Sequence, residues 1–506
     1  MTLAIEKMRS EIPGFDHVAH GGLPRGRTTL ISGTAGSAKT VFAAQFLSAG
    51  IDLADEHGVF VTFEEAPGDL RQNMLGLGWD IRKWESEGRW AFVDASPQPG
   101  EPPVLTGGYD LGALLARIEH AIHRIGATRI VLDSVGGMLA QLPDTATVRH
   151  ELFRIALALK GMGVTSLITA ERLGEDGPIA RFGVEEFVAD NVIILRNHLE
   201  QESRRRTVEI LKFRGTDHQK GECPFTIIPG EGIVVIPLSA IELKQRSSDR
   251  RVTSGNNDLD AMCGGGFFRD SIILVSGPTG TGKTLITTGF IAGGADRGER
   301  CLLLAFEESR EQLVRNASGW GIDYERMEAE GKLKVVCAYP EAASLEDHLI
   351  WIKKLIDEHR PDRVAVDSLS ALERVASLKS FREFAIGLTS FIKHREIPGL
   401  FTATTSTLLG GSSITETHIS TTTDSIILLR YVEMYGEMRR GLAVLKMRGS
   451  HHDKEIREFT IDGRGMHIGQ AFRNIFGILS GNFTRVSPGE LERLDELFRD
   501  DDGPGI

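Results

Sequence analysis

The chain has 506 residues, 41% of them hydrophobic and 25% charged, which is the composition of a globular protein with material for more than one core. Lys and Arg number 58 against 70 Asp and Glu, and the net charge of −12 argues against a surface that binds nucleic acid or anionic membrane throughout. No apolar run reaches eighteen residues, residues 1–14 lack the apolar core of a signal peptide, and the four cysteines show no CxxC spacing. We therefore expect a cytoplasmic protein without membrane association, zinc site or disulfide framework.

Five segments of the first half of the chain return in the same order in the second half. They are TTLISGTAGSAKT (28–40) and SIILVSGPTGTGKT (271–284), VFVTFEE (59–65) and LLLAFEES (302–309), RIVLDS (129–134) and RVAVDS (363–368), DNVIILR (190–196) and DSIILLR (424–430), and LKFRGTDH (211–218) and LKMRGSHH (445–452). Gly277 follows Gly33 by 244 residues, whereas Asp367 follows Asp133 by 234, so one ten-residue length difference separates two co-linear halves. The pattern indicates an internal duplication into domain-sized halves.

Each half alternates near-continuous apolar strands with helix-like stretches, which predicts the α/β fold class, a mainly parallel sheet with helices on both faces. We place an N-terminal domain at 1–240, a polar linker at 241–255, a C-terminal domain at 256–487 and an acidic tail at 488–506. In the tail, Leu491, Leu494 and Leu497 or Phe498 have helical spacing and predict one short amphipathic helix. Ligands of such sheets bind at the carboxyl ends of the strands, so we expect all five repeated motifs at that edge.

Each half carries a glycine-rich loop between a strand and a helix, which is the context of a phosphate-binding P-loop. The second loop, Gly277, Pro278, Thr279, Gly280, Thr281, Gly282, Lys283 and Thr284, matches G-x-x-x-x-G-K-[ST] in full, and the first comprises Gly33, Thr34, Ala35, Gly36, Ser37, Ala38, Lys39 and Thr40. We expect backbone N–H groups to surround the phosphates of ATP and both lysines to reach the β- and γ-phosphates. The hydroxyls of Thr40 and Thr284 are then the expected Mg²⁺ ligands.

Ala38 replaces the last glycine of the pattern in the first loop. An alanine fits there if it keeps a helical φ at the start of the following helix, and we expect that conformation. Nucleotide binding then survives in the first half of the chain. The alternative is a degenerate first half that does not hydrolyse ATP.

Asp133 and Asp367 each end an apolar strand and precede a serine. In P-loop proteins an aspartate at this place holds the Mg²⁺ shell, directly or through water. The alternative is an aspartate that caps the next helix. The presence of a P-loop in each half favours the metal role.

Two adjacent glutamates close the strand that follows the first helix of each half, Glu64–Glu65 and Glu307–Glu308. A carboxylate at this place can orient or deprotonate the nucleophile opposite the γ-phosphate. Neighbours on a strand point to opposite faces, so we expect Glu64 and Glu307 to face the nucleotide, with Glu65 and Glu308 in support. An exposed acidic turn is the alternative.

A K-x-R-G motif follows late in each half, with Lys212 and Arg214 in the first and Lys446 and Arg448 in the second. Residues two apart share one face of a strand. Such a pair of cations suits the phosphates of a nucleotide that a neighbouring subunit holds, where an arginine offsets charge in the transition state. A solvated basic strand is the alternative.

The two halves differ just before Asp190 and Asp424. At the 234-residue offset, Ser420 and Thr421 replace Glu186 and Phe187, and Thr415 replaces Arg181. A P-loop site passes phosphate to water or to an alcohol, and positioning decides which. The sequence therefore predicts that the first half hydrolyses ATP and that the second half also phosphorylates Ser420 and Thr421. The alternative is a Ser/Thr-rich turn that leads into a strand.

These motifs together resemble the KaiC family, the core ATPases and kinases of the Kai circadian clock. The similarity runs from PGFDHV at 13–18 to the segment at 472–474. It is most specific in four stretches: GPIARFGVEEFVADNVIILRN, MCGGGFFRDSIIL, SITETHISTTTDSIILL and KMRGSHHDKEIREF.

The resemblance implies two RecA-like P-loop NTPase domains that form a double-ring homohexamer, with ATP and Mg²⁺ at the subunit interfaces. The N-terminal ring would be a slow ATPase in which Glu64 activates water. The C-terminal ring would be a serine/threonine autokinase and autophosphatase, with Glu307 as general base and also at the metal. Ser420 and Thr421 are the implied phosphosites, and Thr415 is an auxiliary hydroxyl.

The resemblance also implies nucleotide contacts and partners. The implied contacts are Lys212, Phe213, Arg214, Thr216 and His218 in the first ring, and Trp320, Arg440, Lys446, Met447 and Arg448 in the second. A KaiB-like protein is expected on the first ring around TGGYDLGALL (106–115).

Three departures from the family limit what carries over. Ala38 breaks the first P-loop pattern, Glu416 stands where the family has an aspartate beside Thr415, and the tail after 488 matches only loosely. In the family that tail region engages the activator KaiA, so dependence on a KaiA-like activator is doubtful. A KaiA-independent variant and an hourglass-type timer both remain open.

Two other function classes share the same sheet and P-loop. One is a RecA- or helicase-like nucleic-acid motor, which the net charge of −12 and the absence of an evident basic, aromatic strand-binding loop disfavour. The other is a nucleotide-gated signalling scaffold whose hydrolysis is vestigial. ATPase activity that ignores single-stranded DNA would separate the motor from the clock-type enzyme.

Overall fold

The computed structural model describes residues 5–96, 111–140, 142–200, 203–237, 247–405, 422–434 and 436–473, and the backbone of 475–476 and 484–485. The chain divides into two compact units, Met1–Ala240 and Ile241–Ile506. Among the described residues, no helix is both long and apolar enough to cross a lipid bilayer.

The first unit contains eleven described strands and eight described helices. The strands are β1 (Lys7–Met8), β2 (Leu23–Pro24), β3 (Thr28–Gly33), β4 (Gly58–Thr62), β5 (Trp90–Asp94), β6 (Arg129–Asp133), β7 (Thr165–Glu171), β8 (Asn191–Glu200), β9 (Ser203–Phe213), β10 (Glu222–Ile228) and β11 (Gly232–Val235). The helices are α1 (Phe15–Val18), α2 (Lys39–Ala54), α3 (Pro67–Leu75), α4 (Ile81–Ser86), α5 (Leu111–Ile125), α6 (Gly136–Leu139), α7 (Thr145–Gly161) and α8 (Glu185–Val188).

The described part of the second unit repeats this order of elements with small changes. Its strands are β12 (Arg251–Val252), β13 (Phe267–Phe268), β14 (Ile272–Gly277), β15 (Cys301–Ala305), β16 (Leu333–Cys337), β17 (Arg363–Asp367), β18 (Gly399–Thr404), β19 (Ser425–Met434), β20 (Glu437–Met447), β21 (Arg457–Asp462), β22 (Gly465–Ala471), β23 (Ile475–Phe476) and β24 (Thr484–Arg485). Its helices are α9 (Asn257–Met262), α10 (Lys283–Ala295), α11 (Arg310–Ser318), α12 (Tyr324–Ala329), α13 (Leu345–His359), α14 (Leu369–Arg374) and α15 (Leu378–His394), with a 3₁₀ turn at Pro340–Ala342.

Each unit is built on a nine-stranded sheet with the same order of strands. The orders are β11-β10-β9-β8-β3-β7-β6-β4-β5 and β22-β21-β20-β19-β14-β18-β17-β15-β16. Six strands from β8 to β5 run parallel, and β9, β10 and β11 extend the sheet in antiparallel fashion. The predicted α/β class with a mainly parallel sheet is confirmed, and the strand that leads into each P-loop lies inside its sheet.

The apolar strands of the first unit are continuous because both faces of the sheet are covered. Leu30 and Leu132 belong to one buried cluster, whereas their neighbours Ile31 and Val131 belong to another on the opposite face. Helix α2 follows the first P-loop and packs its apolar side into the second of these clusters. The P-loop is therefore held between a buried strand and a buried helix.

A buried arginine donates hydrogen bonds to the helix that follows the first P-loop and to the segments around it. Arg129, which begins β6, is 1% exposed and donates to the carboxylate of Glu56 and to the carbonyl oxygens of Phe46 and Arg9, at 2.7, 2.7 and 2.8 Å. Its guanidinium lies 4.6 Å from the ring centre of Phe46. A β-carbon at Gly50 would overlap this guanidinium, so the helix needs a glycine there. Arg129 thus ties the segment before β2 to helix α2.

The second unit contains the same arrangement around Arg363, which is fully buried. Arg363 pairs with Glu299 and donates to the carbonyl oxygens of Thr253 and Phe290, at 2.6 and 3.0 Å. Gly294 takes the place of the helix glycine. The sequence motifs RIVLDS and RVAVDS gave no indication of this role for their arginines.

The predicted linker at 241–255 is partly wrong. Residues 241–246 lie outside the described part, but Arg251–Val252 form β12, which pairs with Phe267–Phe268. Val252 is buried, and Thr253 accepts the hydrogen bond from Arg363. Two strand residues are too few to show a period-two pattern, which is why the segment resembled a linker.

We predict that Arg129→Met destabilises the first unit by about 3–5 kcal/mol, because it leaves Glu56 and two carbonyl oxygens without their buried partner. Arg25→Met is the matched control, since Arg25 pairs with the same Glu56 from a half-exposed position and should cost less than about 1 kcal/mol. Hydrogen exchange of the β6 amides in urea measures both. Equal losses in the two variants would contradict the assigned role.

Candidate active sites

Both P-loops are formed in the same way. In the first, Lys39 Nζ donates to the carbonyl oxygens of Gly33 and Thr34, each at 2.9 Å. In the second, Lys283 Nζ donates to the carbonyls of Gly277 and Pro278, also at 2.9 Å. Burial lowers the pKa of each lysine, and neighbouring carboxylates oppose the shift. Each ammonium group therefore lies folded onto its own loop, at the start of a helix.

The expected conformation of Ala38 is wrong. Ala38 has φ +74° and ψ +28°, the left-handed region, and Gly282 at the matching place has φ +106°. The turn from loop to helix requires a positive φ at this residue in both units, so alanine carries backbone strain that glycine avoids. The helix begins one residue later than expected, at Lys39.

A buried aspartate lies beside each P-loop, at the end of the strand two places away in the sheet. Asp133 accepts a hydrogen bond from the hydroxyl of Thr169, and the hydroxyl of Thr40 also lowers the pKa of its carboxyl group. The second unit repeats this set with Asp367, Thr402 and Thr284. Burial raises the pKa of both carboxyl groups, and the hydroxyl donors oppose the shift. Carboxylate and hydroxyl oxygens are ligands that Mg²⁺ prefers, so the donor set fits that ion.

The first glutamate of each pair is anchored on the serine that follows the aspartate. Ser134 Oγ donates to Glu64 and Ser368 Oγ donates to Glu307, both at 3.1 Å. Glu307 also pairs with Arg374 at 2.6 Å. Glu64 and Glu307 are thereby oriented toward the end of the aspartate strand.

The second glutamate of each pair binds an asparagine of the next helix instead. Asn73 donates to Glu65 at 2.6 Å and Asn316 donates to Glu308 at 3.3 Å. Burial raises the pKa of both carboxyl groups. Both pairs lie in a bend beyond the strand ends rather than on the strands. The two glutamates of each pair therefore point in different directions because of the bend, and not because of the alternation of side chains along a strand.

The expectation that all five motifs lie at one edge of the sheet is wrong for the K-x-R-G motif. Phe213 pairs with Asn191, and Asn191 pairs with Thr29, at the amino end of β3. The P-loop begins at Gly33, four residues further along, which is about 13 Å along a strand. Strand β9 runs antiparallel to β8, so its end returns to the opposite edge. The second unit repeats this, since Met447 pairs with Ser425 and Ser425 with Ile273.

The cations of these motifs contact the loop before β8 or β19. Lys212 Nζ donates to the carbonyl oxygens of Glu186 and Ala189, and Arg214 donates to Asp190 at 3.2 Å. In the second unit, Lys446 donates to the carbonyl of Thr423 at 2.7 Å, and Arg448 lies 3.6 Å from Asp424. Arg214 and Arg448 keep more than half of their side chains exposed.

The family model described as "ATPase: KaiC" matches residues 8–240 and 252–472. The circadian clock protein KaiC3 of Synechocystis sp. is 68% identical over 98% of this chain and 98% of its own length. The circadian clock oscillator proteins KaiC of Thermostichus vulcanus and Synechococcus elongatus are 56% and 55% identical, each over 98% of this chain and 95% of its own length.

The chain belongs to the KaiC family. The resemblance stated from the sequence is confirmed, and the family description makes each half an ATPase domain that binds nucleotide. Two matched segments, one in each unit, agree with the two P-loop sites described above.

One residue near the first P-loop was missed when the nucleotide contacts of the KaiC family were carried over. Arg206 matches Arg440 at the 234-residue offset, and its Nε donates to the carbonyl of Gly36 at the tip of the loop, at 3.3 Å. In the second unit, Arg440 lies over the ring of Tyr431, whose hydroxyl reaches the carbonyl of Thr279 at 3.4 Å. The offset itself was the signal that could have found Arg206.

Other residues carried over from the KaiC family lie in varied surroundings. Phe213 and Met447 are buried core residues, so only their backbone is available to a ligand. His218 packs against Phe213 with ring centres 5.4 Å apart, near the half-exposed Thr216. Trp320 lines a cavity of about 100 Å³ beside helix α10.

Several predictions fall outside the described residues. They are the hydroxyls of Thr415, Ser420 and Thr421, the first part of the segment 106–115, and the acidic tail at 488–506 with its amphipathic helix. Thr422 and Thr423, which follow the hydroxyl cluster, are described, and Thr423 is buried two residues before β19 begins.

We predict that Ala38→Gly stabilises the first unit by about 0.5–1 kcal/mol, since relief of left-handed strain exceeds the entropy cost of glycine. Gly282→Ala is the converse test. Its β-carbon would lie 2.9 Å from Ile461 Cδ1, and its φ is +106°, so it should lose at least about 1 kcal/mol. Urea unfolding monitored by hydrogen exchange at α2 and α10 measures both. A loss of stability in Ala38→Gly would show that the loop does not carry this strain.

Proposed function

We propose that this chain is an ATP-hydrolysing timing protein that phosphorylates and dephosphorylates hydroxyl side chains of its own second half. The observation that carries the proposal is the paired frame of lysine, aspartate, threonine and serine-anchored glutamate, present in both units. Only the second half has hydroxyl residues, Ser420 and Thr421, where the first has Glu186 and Phe187. The names of the relatives, circadian clock proteins, support the timing role.

The residues divide the work of phosphoryl transfer. Backbone N–H groups at the start of α2 and α10 bind the phosphates, and Lys39 and Lys283 neutralise the charge that develops on them. Asp133 and Asp367, with the P-loop threonines, would hold Mg²⁺, which when bound offsets the charge of the β- and γ-phosphates. Each lysine must leave two loop carbonyls to reach a phosphate, and the new charge-assisted contacts offset that loss.

The nucleophile differs between the two units. At the first, Glu64 orients water and takes its proton as water attacks the γ-phosphorus. At the second, Glu307 does the same for the hydroxyl of Ser420 or Thr421. The first unit is thus the ATPase and the second unit the autokinase and autophosphatase.

A homohexamer accounts for the position of the K-x-R-G cations. They lie at the edge of the sheet opposite their own P-loop, so the nucleotide that they contact is one held by a neighbouring subunit. Near Arg214, the side chains of Phe153 and Phe187 are each more than half exposed. A cavity of about 490 Å³, lined by both of these side chains and by Arg149, His150 and Arg214, opens beside them. An apolar patch next to exposed cations suits a subunit contact that includes a phosphate ligand.

The expected partners follow from the family and the same division of the chain. A KaiB-like protein would bind the N-terminal domain around 106–115, of which 111–115 begin helix α5. A KaiA-like activator is not part of the proposal, because the tail after 488 matches the family only loosely. The cofactors are ATP and Mg²⁺.

We predict that Glu64→Gln lowers ADP release by roughly a hundredfold at the first site while Ser420 and Thr421 still acquire phosphate, and that Glu307→Gln has the converse effect. Enzymatic ADP assay and phosphopeptide mass spectrometry on the full chain with Mg·ATP measure both. The exposed acids Glu119 and Glu358 supply controls as Glu119→Gln and Glu358→Gln, which should leave both readings unchanged. ATP consumption without any label at Ser420 or Thr421 would leave an ATPase and remove the kinase half of the proposal.

We predict that Phe187→Glu prevents assembly, because it places a charge in the apolar patch that the neighbouring subunit would cover. Light scattering with ATP should give a hexamer for the natural chain and for Leu53→Glu, which changes an equally exposed leucine at the end of α2. The variant at Phe187 should give smaller species. A natural chain that stays monomeric with ATP would refute the hexamer.

A further inference from the structure

The two phosphate sites differ at one strand position that the sequence comparison did not single out. In the first unit, Thr169 and Glu171 are two apart on β7, so they share a face of the strand. The hydroxyl of Thr169 donates to Asp133. Glu171 therefore lies on the same side as that carboxylate, one step nearer the carboxyl end of the sheet.

The pairing of the strands gives the depth of Glu171 in the site. Glu171 pairs with Gly33, the first residue of the P-loop, and Arg172 N donates to the carbonyl of Gly33 at 3.0 Å. Neighbouring strands lie about 4.8 Å apart, so the Cα of Glu171 is adjacent to the P-loop itself. Its carboxylate is half-buried and opposes, more than any other carboxylate, the lowering of the pKa of Lys39 by burial.

The second unit has a threonine at this position. Thr402 donates to Asp367, Thr404 is two residues further on β18, and Thr404 pairs with Gly277. The structural match of Glu171 is thus Thr404, an offset of 233 rather than the 234 that holds at Asp190 and Asp424. At the 234-residue offset Glu171 would match Thr405, so the first half has a carboxylate where the second has a threonine at either offset.

A second acid also occurs only in the first half, and it has a different place. Glu175 accepts hydrogen bonds from Thr34 Oγ1 at 2.5 Å and from Asn197 N at 3.1 Å, at the outer side of the P-loop. Glu171 and Glu175 both act electrostatically on Lys39, as Asp367 and Glu307 do on Lys283. Glu175 is held by the loop, but Glu171 is aimed at the aspartate side of the site.

We propose that Glu171 is a catalytic residue of the first site that selects water as the phosphoryl acceptor, and that Thr404 leaves the second site open to an alcohol. This inference rests on the proposed function, in which the first unit hydrolyses ATP and the second phosphorylates hydroxyl side chains. Attacking water has two O–H bonds, one for Glu64 and the other for Glu171. An alcohol has only one, so its carbon would face the carboxylate of Glu171 and leave that charge without a partner.

The step balances without any further reactant. The water oxygen forms a bond to the γ-phosphorus, and the bond from that phosphorus to the β–γ bridging oxygen breaks, with the electron pair leaving on ADP. Glu64 takes one proton from the water and returns it to the inorganic phosphate. Glu171 accepts a hydrogen bond from the other O–H and takes no proton.

The first test isolates the first site by Lys283→Met, which disables the second P-loop. In that background, Glu171→Gln and Glu171→Thr should each lower the kcat of phosphate release by roughly a hundredfold with little change in KM. Glu119→Gln is the control, since it removes the same charge from an exposed position of the same half and should leave kcat within about twofold. Equal losses from Glu171→Gln and Glu119→Gln would assign the effect to net charge and overturn the proposal.

The second test moves the carboxylate into the other site. In a Lys39→Met background, Thr404→Glu should lower the ratio of phosphoprotein to free phosphate by at least about tenfold. Thr404→Gln, of the same size but neutral, should change that ratio less, and binding of a fluorescent ATP analogue confirms that each variant retains its nucleotide. An unchanged ratio in Thr404→Glu would overturn the selection by Glu171. Absence of hydrolysis in the Lys283→Met chain itself would instead refute the proposed ATPase of the first unit, and with it the role of Glu171.

Discussion

A buried carboxylate beside a phosphate loop is the interaction on which each unit depends. Asp133 and Asp367 end strands that are covered on both faces, where an isolated negative charge would be costly. Hydroxyl donors from the neighbouring strand and from the P-loop helix offset that cost. Those donors bring three elements together at one point, which fixes where the lysine and the serine-anchored glutamate must lie. Preorganised charge of this kind is what phosphoryl transfer requires from a protein.

The fold and the inner part of each site could be predicted from the sequence, because both follow from local patterns. Each pattern is recognisable within a short stretch of sequence: the continuous apolar strands, the glycine-rich loop before a helix and the acid at a strand end. The failures have a common cause in longer-range geometry. The K-x-R-G motif turned out to lie at the far edge since an antiparallel hairpin reverses β9, and Ala38 is left-handed since the loop-to-helix turn requires it. Arg129 and Arg363 gave no signal because their partners come from three separate segments.

The two sites share the P-loop lysine, the buried aspartate and the serine-anchored glutamate, but the residues around this set differ. The first has additional carboxylates near its lysine, and the second has an arginine, Arg374, on its glutamate. Such differences alter the charge that a nucleotide and its acceptor meet while the P-loop geometry stays the same. Substitutions at strand ends cost less folding stability than substitutions inside the sheet, because the packed core does not include these positions. The two sites can therefore differ while the fold stays the same.

Buried Arg363 determines how far the N-terminal end of an isolated second unit can be shortened. Arg363 donates to the carbonyl of Thr253, so a fragment that starts at 256 would expose a guanidinium and lack β12 against β13. The sequence places that boundary inside a polar stretch that looks dispensable. A soluble, catalytically competent half-molecule therefore has to begin upstream of Arg251, and a shorter one would fail for reasons unrelated to its catalytic residues.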